Sequence, residues 1–153
     1  ESYLDKSPFE LSGGEMRKVA LCGVLALEPK VLILDEPTVA LDYQSREEIM
    51  AMVKRLKEEF DMTIVLVTHN MDYVLEYADK VFVLKNGKIS FEGKVEDLFL
   101  NEQILKENSL ELPEVLKFYK KLEENNIVLD VFPRKYEELI NALKNKIGSS
   151  RNE

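Results

Sequence analysis

The stretch VLILDEP at residues 31–37 joins four consecutive aliphatic residues to two carboxylates and a proline. An unbroken apolar run is typical of a parallel strand buried on both faces, because a strand with one face in water alternates polar and apolar residues. Ligands of open α/β sheets bind at the carboxyl ends of such strands. The sequence therefore predicts Asp35 and Glu36 at the edge of a sheet, where they either serve a site or only cap the next helix.

A second apolar run, TIVLVT at residues 63–68, predicts another strand that ends beside His69, the only histidine of the chain. Apolar residues recur at helical spacing before it, which predicts a helix over residues 43–60. The predicted core positions of this helix are Ile49, Met52, Val53, Leu56 and Phe60. Strand, helix and strand in this order form a βαβ unit with parallel strands. We therefore expect His69 to lie at the same sheet edge as Asp35 and Glu36.

The segment LSGGE at residues 11–15 begins a further predicted helix, which ends before Pro29. Ser12 and Glu15 have the spacing of a capping box, in which their side chains accept hydrogen bonds from amides at the helix start. A cap alone does not explain the two glycines between them, since each costs about 1 kcal/mol of helix stability relative to alanine. Glycine at this place lets an anion approach the exposed amides at the positive end of the helix.

The later part of the chain changes from strand patterns to helix patterns. The pair Asn86-Gly87 stands between strand-like runs at residues 80–85 and 88–91, which predicts a β-hairpin. A short helix is expected before the hairpin, at residues 71–78. Longer helical patterns follow it at residues 95–108, 113–125 and 134–147.

The composition limits the classes of function. A chain of 153 residues can bury the core of one domain, and the formal charge of −8 argues against a broad electrostatic hold on nucleic acid. Cys22 is the single cysteine and is interpreted as a small core residue. One cysteine cannot form an internal disulfide, so a reducing compartment is expected. No apolar stretch approaches the ~20 residues of a membrane helix.

Four motifs together resemble those of the ATP-binding-cassette (ABC) ATPases. They are LSGGE at residues 11–15, LILDEP at 32–37, ALD at 40–42 and TH at 68–69, in the order and spacing of that family. The resemblance implies an α/β fold, namely a partial P-loop NTPase domain with parallel strands, a β-hairpin and a C-terminal helical extension. It implies that residues 1–100 are the C-terminal part of the nucleotide-binding domain, that residues 101–153 are the extension, and that ATP and Mg²⁺ are the ligands.

The resemblance also implies a role for each motif. Asp35 holds Mg²⁺ through water, Glu36 is the general base for the attacking water, and His69 contacts the γ-phosphate. Asp42 belongs to a loop that crosses the interface between two ATPase subunits. The signature motif, which acts on nucleotide held by a partner subunit, comprises Leu11, Ser12, Gly13, Gly14 and Glu15. Phosphoryl transfer needs a metal, an oriented water and donors to the γ-phosphate, and these residue types can supply much of that.

Further segments resemble the ATPase subunits of energy-coupling-factor importers. They are SPFE at residues 7–10, GVLALEP at 23–29 and LPEV at 112–115. This resemblance implies an ATP-binding and ATP-hydrolysing subunit that energises uptake of a vitamin or a metal ion. The implied partners are a second ABC ATPase subunit, in a homodimer or a heterodimer, and integral membrane subunits, with no nucleic acid. The implied location is the cytoplasmic face of the cell membrane.

The Walker A loop of the family, Gly-x-x-x-x-Gly-Lys followed by Ser or Thr, is absent from the sequence. We therefore expect the chain alone not to hydrolyse ATP, and we interpret it as a truncation, a proteolytic remnant or one half of a split domain. Two alternatives stay open. One is the signature half of a DNA-repair or chromosome-maintenance ATPase head, and the other is a regulatory module that has lost ATP binding.

Overall fold

The computed structural model describes residues 7–149. These residues belong to two compact units, one that ends at His69 and one that begins at Asn70. The two ends of the chain, which the predicted domain bounds include, lie outside the described residues. The predicted domain division at residue 100 stays a prediction, and the contacts within the second unit group the hairpin with the helices that follow it.

The first unit is built on the predicted βαβ element. Strand β1 (Val31–Asp35) pairs in parallel with strand β2 (Thr63–Val67), and helix α2 (Tyr43–Phe60) connects them. The register runs in step from the first residue of each strand to the last. The predicted helix, the two strands and their parallel pairing are confirmed. The carboxyl ends of both strands therefore lie at the same edge of the sheet.

One face of this sheet is buried and the other is not. Leu32 is 4% exposed and packs with Leu56 of α2 and Leu21 of helix α1 (Gly13–Leu25). Ile33, whose side chain points to the other face, is 67% exposed. The prediction that β1 is buried on both faces is therefore wrong for the described residues. Because α1 and α2 both pack on the Leu32 face, side chains on the other face stay accessible.

Helix α2 buries most of its predicted core positions. The predicted residues that are buried are Ile49, Val53 and Leu56. Met50 is fully buried, whereas Met52 is only partly buried and Phe60 is 67% exposed. Cys22 of α1 is exposed, so its predicted place in the core is also wrong. Consecutive side chains lie about 100° apart around a helix, so a loose apolar pattern leaves the centre of the buried stripe uncertain.

The second unit contains the predicted hairpin, which follows helix α3 (Met71–Tyr77). Strand β3 (Lys80–Lys85) pairs antiparallel with strand β4 (Lys88–Lys94). Asn86 and Gly87 have φ values of 52° and 72°, and positive φ at both positions is what a type I′ turn requires. The hairpin is confirmed. Strand β4 continues past its predicted end because it stays paired to the first residue of β3.

Four helices follow the hairpin in the described residues, where three were predicted. They are α4 (Val95–Phe99), α5 (Glu102–Glu107), α6 (Glu114–Glu124) and α7 (Tyr136–Ser149). The predicted helix at residues 95–108 is divided because Asn101 caps α5. Its side-chain oxygen accepts a hydrogen bond from the amide of Ile104 at 3.1 Å. The apolar pattern continues across this cap, and for that reason the sequence pattern predicts a single helix.

The hairpin and the helices of the second unit share one hydrophobic core. Leu98 and Phe99 of α4 are fully buried and pack with Leu116 of α6 and Leu139 of α7. Val83 of β3 belongs to the same cluster. Full burial of one such side chain contributes roughly 1.5–3 kcal/mol, so this core supplies much of the stability of the unit. Within residues 7–149, no helix has both the length and the apolar character needed to cross a membrane.

Arg134 ties three segments of the second unit together. Its guanidinium donates to the carbonyl oxygen of Ala78 at 2.9 Å and to Oε1 of Glu96 at 2.7 Å. Its main-chain amide donates to Glu138 at 2.7 Å. The hydrogen bond from Arg134 is the main reason why the pKa of Glu96 lies below its usual value, although burial opposes the change. Glu96 therefore stabilises the folded state in its ionised form.

Arg134→Met is expected to lower the free energy of unfolding by about 1–3 kcal/mol near neutral pH, because it removes hydrogen bonds that involve charged groups. Glu96→Gln should also destabilise the protein. The loss of unfolding free energy in Glu96→Gln should be complete at pH values above the ordinary carboxyl pKa. It should disappear as the pH falls through the lower pKa that Glu96 has in the folded state. Urea unfolding at several pH values measures both effects.

The control for this prediction is Lys117→Met, which removes an exposed ion pair with Glu114 on α6. Exposed pairs of this kind contribute little to stability, so this variant should unfold almost like the parent protein. If Arg134→Met matched the control, or if the deficit of Glu96→Gln did not change with pH, the structural importance of the Arg134 contacts would be refuted.

Candidate active site

The carboxyl ends of β1 and β2 bring predicted site residues together. Glu36 follows β1, and Thr68 and His69 follow β2. The amide of Glu36 donates to the carbonyl oxygen of Val67 at 2.9 Å, which extends the strand pairing by one residue. The expectation that Glu36 and His69 are neighbours is thus confirmed. Their chemical roles stay predictions at this stage.

The carboxylate of Glu36 is held by the two residues that follow β2. Its Oε1 lies 2.6 Å from Nδ1 of His69 and accepts the main-chain amide of His69 at 3.0 Å. Its Oε2 accepts the hydroxyl of Thr68 at 3.3 Å. Because an ionised carboxylate only accepts hydrogen bonds, Nδ1 carries the proton between the two groups. The second ring nitrogen, Nε2, belongs to a side chain that is 82% exposed, so it is available to a ligand.

The ionisation of Glu36 follows from these contacts. Burial raises the pKa of Glu36, but the hydrogen bonds and the charge of His69, with the Thr68 hydroxyl, outweigh it and hold the pKa below its usual value. Glu36 is therefore ionised at neutral pH. About a third of its side chain is exposed, so the carboxylate can be reached by a water molecule. An ionised carboxylate fixed in direction and open to water can accept a proton from that water.

The main chain at Glu36 has an unusual conformation that the sequence analysis did not predict. Glu36 has a φ of 43°, in the left-handed region that residues with side chains rarely adopt. The guanidinium of Arg17 on α1 donates to the carbonyl oxygen of Glu36 at 3.0 Å and to that of Pro37. No sequence pattern points to Arg17, because its partners are main-chain atoms that the packing of α1 brings near.

Asp35, the predicted ligand of Mg²⁺, is the last residue of β1 and is exposed. Within residues 7–149, no cluster of three or more His, Cys, Asp or Glu side chains could hold a metal ion by itself. Mg²⁺ in phosphate sites usually keeps several waters and takes only one or two carboxylates, together with oxygens of the substrate. A single exposed carboxylate next to Glu36 fits that mode of binding.

The start of α1 has the predicted capping box. The amide of Ser12 donates to Oε2 of Glu15 at 2.7 Å, and the amide of Glu15 donates to the hydroxyl of Ser12 at 3.2 Å. The Glu15 carboxylate is therefore folded back onto the helix start, as predicted. The amides of Gly13 and Gly14 have no partner within the helix, since first-turn amides lack a carbonyl four residues earlier. Leu11, just before the cap, is half-buried.

The two glycines of this turn have different surroundings. A Cβ atom built on Gly13 would meet no atom of residues 7–149 within 4 Å. On Gly14 it would lie 2.8 Å from Oγ and 3.2 Å from Cβ of Ser45, at the start of α2. Gly14 thus has a packing reason within its own chain, in addition to the predicted approach of an anion. Among the described residues Gly13 has no packing reason of this kind, and its exposed position is compatible with the predicted approach of an anion.

Asp42 holds Ser45 in this position. Its Oδ1 accepts the amide of Ser45 at 2.9 Å, and its Oδ2 accepts the hydroxyl of Ser45 at 2.8 Å. The bond from the Ser45 amide is the main reason why the pKa of Asp42 lies below its usual value. Asp42 is therefore the N-cap of α2. This cap is compatible with the predicted place of Asp42 at a subunit interface, and that place stays a prediction.

Comparison with known proteins agrees with the motifs. The family model described as "ABC transporter" matches residues 1–39. The chain is 46% identical to the energy-coupling factor transporter ATP-binding protein EcfA2 of Ligilactobacillus salivarius (strain UCC118), over 100% of this chain and 53% of that protein. It is 48% identical to the protein of the same name in Enterococcus faecalis (strain ATCC 700802 / V583), over 96% of this chain and 51% of that protein. The chain thus spans about half the length of these curated relatives.

Solved structures show the same relationship. The chain is similar to cbiO1 from Clostridium perfringens, part of the ABC transporter complex cbiONQ, with a TM-score of 0.60 and 38% identity over 78% of this chain and 48% of that one. It is also similar to the ATP-binding cassette MJ0796, in a dimeric post-hydrolysis state bound to ADP and Pi, with a TM-score of 0.56 and 36% identity over 62% of this chain and 40% of that one.

These findings confirm the α/β P-loop fold class and the resemblance found in the motifs. The chain is similar to ATPases of ABC transporters, by the family model over residues 1–39 and by curated relatives that match 96–100% of its length. Among these ATPases it is similar to the ATP-binding proteins of energy-coupling factor transporters, which are the curated relatives at 46–48% identity.

The difference between the two glycines predicts different costs of substitution. Gly14→Ala should destabilise the protein by about 1–3 kcal/mol, because the new methyl group displaces Ser45 from its bonds to Asp42. Gly13→Ala is the matched control and should be neutral or slightly stabilising, because alanine favours a helix. Unfolding by urea measures both.

The double variant Gly14→Ala/Ser45→Gly separates a local clash from a general loss of helix stability. Since Ser45→Gly removes both atoms that the new methyl group would meet, the two substitutions together should cost less than the sum of their single effects. Strict additivity of the two costs would show that Gly14 is not packed against Ser45.

Proposed function

We propose that the whole protein is an ATP-binding and ATP-hydrolysing subunit of an ABC importer, and that it energises uptake of a vitamin or a metal ion through a membrane partner. The observation that carries this proposal is the ionised carboxylate of Glu36, held by Thr68 and His69 and directly preceded by Asp35. The names of the relatives supply the class of transporter, since they are energy-coupling factor ATP-binding proteins.

The residues at the strand ends divide the work of hydrolysis. Glu36 acts as the general base, because its carboxylate is ionised and accessible to water. His69 orients that carboxylate through Nδ1 and can present Nε2 to the γ-phosphate. Asp35 would hold Mg²⁺ through water, and the ion when bound neutralises charge on the phosphate oxygens. The substrate is therefore ATP with its magnesium ion.

The start of α1 acts on nucleotide held by a second ATPase subunit. The first-turn amides of Gly13 and Gly14 have no partner within the helix, and that of the exposed Gly13 can donate to phosphate oxygens at the positive end of the helix. The carboxylate of Glu15 accepts a hydrogen bond from the amide of Ser12 and is folded back onto the helix start. In this position it need not oppose the approach of a phosphate group. Leu11 completes this signature turn. Asp42, which caps α2 and holds Ser45 beside Gly14, lies at the same interface.

The proposed partners are a second ABC ATPase subunit and integral membrane subunits, and nucleic acid is not among them. A dimeric state of the relative MJ0796 and the membership of cbiO1 in a transporter complex support these partners. The second ATPase subunit is either an identical chain or a related one. The proposed location is the cytoplasmic face of the membrane. A DNA-repair head and a regulatory relic are not favoured, since the relatives are transporter ATP-binding proteins.

Glu36→Gln in the full-length protein is expected to keep ATP binding and to slow hydrolysis by at least ~10²-fold, because the amide cannot accept the proton of the attacking water. Asp35 is unchanged, so the magnesium site should remain. Steady-state turnover and ATP affinity are the measurements. Glu59→Gln on the exposed side of α2 is the control and should hydrolyse ATP like the parent. Turnover of Glu36→Gln at the parent rate would rule out Glu36 as the base.

Gly13→Asp is expected to abolish ATP-driven dimerisation of the full-length protein and to leave ATP affinity at monomeric concentration nearly unchanged. The new carboxylate places negative charge where the phosphate of the partner's nucleotide must approach, and Gly13 has space for it. Gly13→Ala is the control, since it adds a side chain without charge. Equal loss of affinity and of dimerisation would place the signature turn in the nucleotide site of its own subunit.

A further inference from the structure

Arg17 contacts the candidate base without touching its carboxylate. It lies on α1, and its half-buried guanidinium donates from one nitrogen to the carbonyl oxygens of Glu36 and Pro37, the first at 3.0 Å. These are the two residues that directly follow β1. A charged donor makes a stronger hydrogen bond than a neutral one, so Arg17 is a strong tie between α1 and this turn.

The turn needs such a tie because its main chain is strained. The left-handed region is unfavourable for a residue with a side chain, because its Cβ atom comes too close to the following carbonyl oxygen, and Glu36 adopts it with a φ of 43°. Such a conformation persists only where its surroundings hold it in place. The amide of Glu36 donates to the carbonyl oxygen of Val67, and its carbonyl oxygen accepts a hydrogen bond from Arg17. Its carboxylate is hydrogen-bonded to Thr68 and His69.

We propose that Arg17 is a positioning residue for Glu36: it fixes the left-handed turn through the two carbonyl groups, and thereby fixes the direction of the carboxylate. This proposal rests on the proposed role of Glu36 in hydrolysis. The action goes through the main chain and not through charge on the carboxylate. Although burial raises the pKa of Glu36, the contacts that lower it come from His69 and Thr68 and not from Arg17.

The kinetic test uses the full-length protein with Arg17→Met, Arg17→Lys and the control Lys18→Met. Lys18 is the next residue of α1, and its side chain forms an ion pair with Glu48 of α2. We expect kcat of Arg17→Met to fall by on the order of 10- to 100-fold, with ATP affinity nearly unchanged. Arg17→Lys keeps a charged donor and should recover most of the rate.

The control distinguishes positioning from simple stabilisation of α1. Lys18→Met should keep kcat per folded molecule near that of the parent, with at most a small fall in melting temperature, because a partly exposed ion pair contributes little to stability. If Arg17→Met and Lys18→Met lost the same stability and both kept the parent kcat, the positioning role would be overturned. It would also be overturned if Arg17→Lys were as slow as Arg17→Met, because a charged donor would then not be what the site requires.

A second measurement is independent of ATP hydrolysis. The Nδ1 proton of His69, assigned by comparison with His69→Asn, reports by NMR on the 2.6 Å contact with Glu36. Arg17→Met should shift or broaden this signal, whereas Lys18→Met should leave it in place. An unchanged signal in Arg17→Met would overturn the proposal even if the parent protein hydrolyses ATP. If the parent protein lacked ATPase activity but Arg17→Met still shifted the His69 signal, the positioning role would be upheld and the proposed function rejected.

Discussion

The parallel pairing of β1 with β2 is the constraint on which the candidate site depends. Glu36 and His69 are distant in sequence, and they meet only because both strands end in step at one edge of the sheet. A slip of one residue in this register would turn every side chain of a strand to the opposite face. It would also withdraw His69 from the carboxylate. The hydrogen bond from the Glu36 amide to Val67 secures the register where it matters most.

The features that the sequence predicted well depend on short segments of chain. The Asn86-Gly87 turn, the Ser12 cap and the strand that ends at Asp35 are each specified by neighbouring residues. The meeting of Glu36 with His69 was also predictable, because a βαβ unit has parallel strands. The contacts of Arg17 were not, since its partners are carbonyl groups that every residue carries. Their proximity depends on how α1 packs, which no local pattern specifies.

Burial was predicted less well than strand and helix positions, and for a related reason. The apolar run in β1 shows that its side chains avoid water, but it does not identify what covers them. In the described residues α1 and α2 cover the Leu32 face, and Ile33 stays largely exposed. The exposure of Cys22 on α1 is a second example. An apolar pattern on a helix fixes a broad stripe, and packing with the neighbouring elements selects the buried part of it.

The unequal cores of the two units bear on how each one opens. In the described residues, the unit that ends at His69 has two small clusters with three buried members each, whereas the other unit has one cluster of twelve. Local opening is easiest where few apolar side chains are buried, so amide hydrogens of β1 and β2 should exchange with solvent sooner than those of α4 and α6. The strand ends that carry Glu36 and His69 thus belong to the part of the chain with the greater freedom to rearrange.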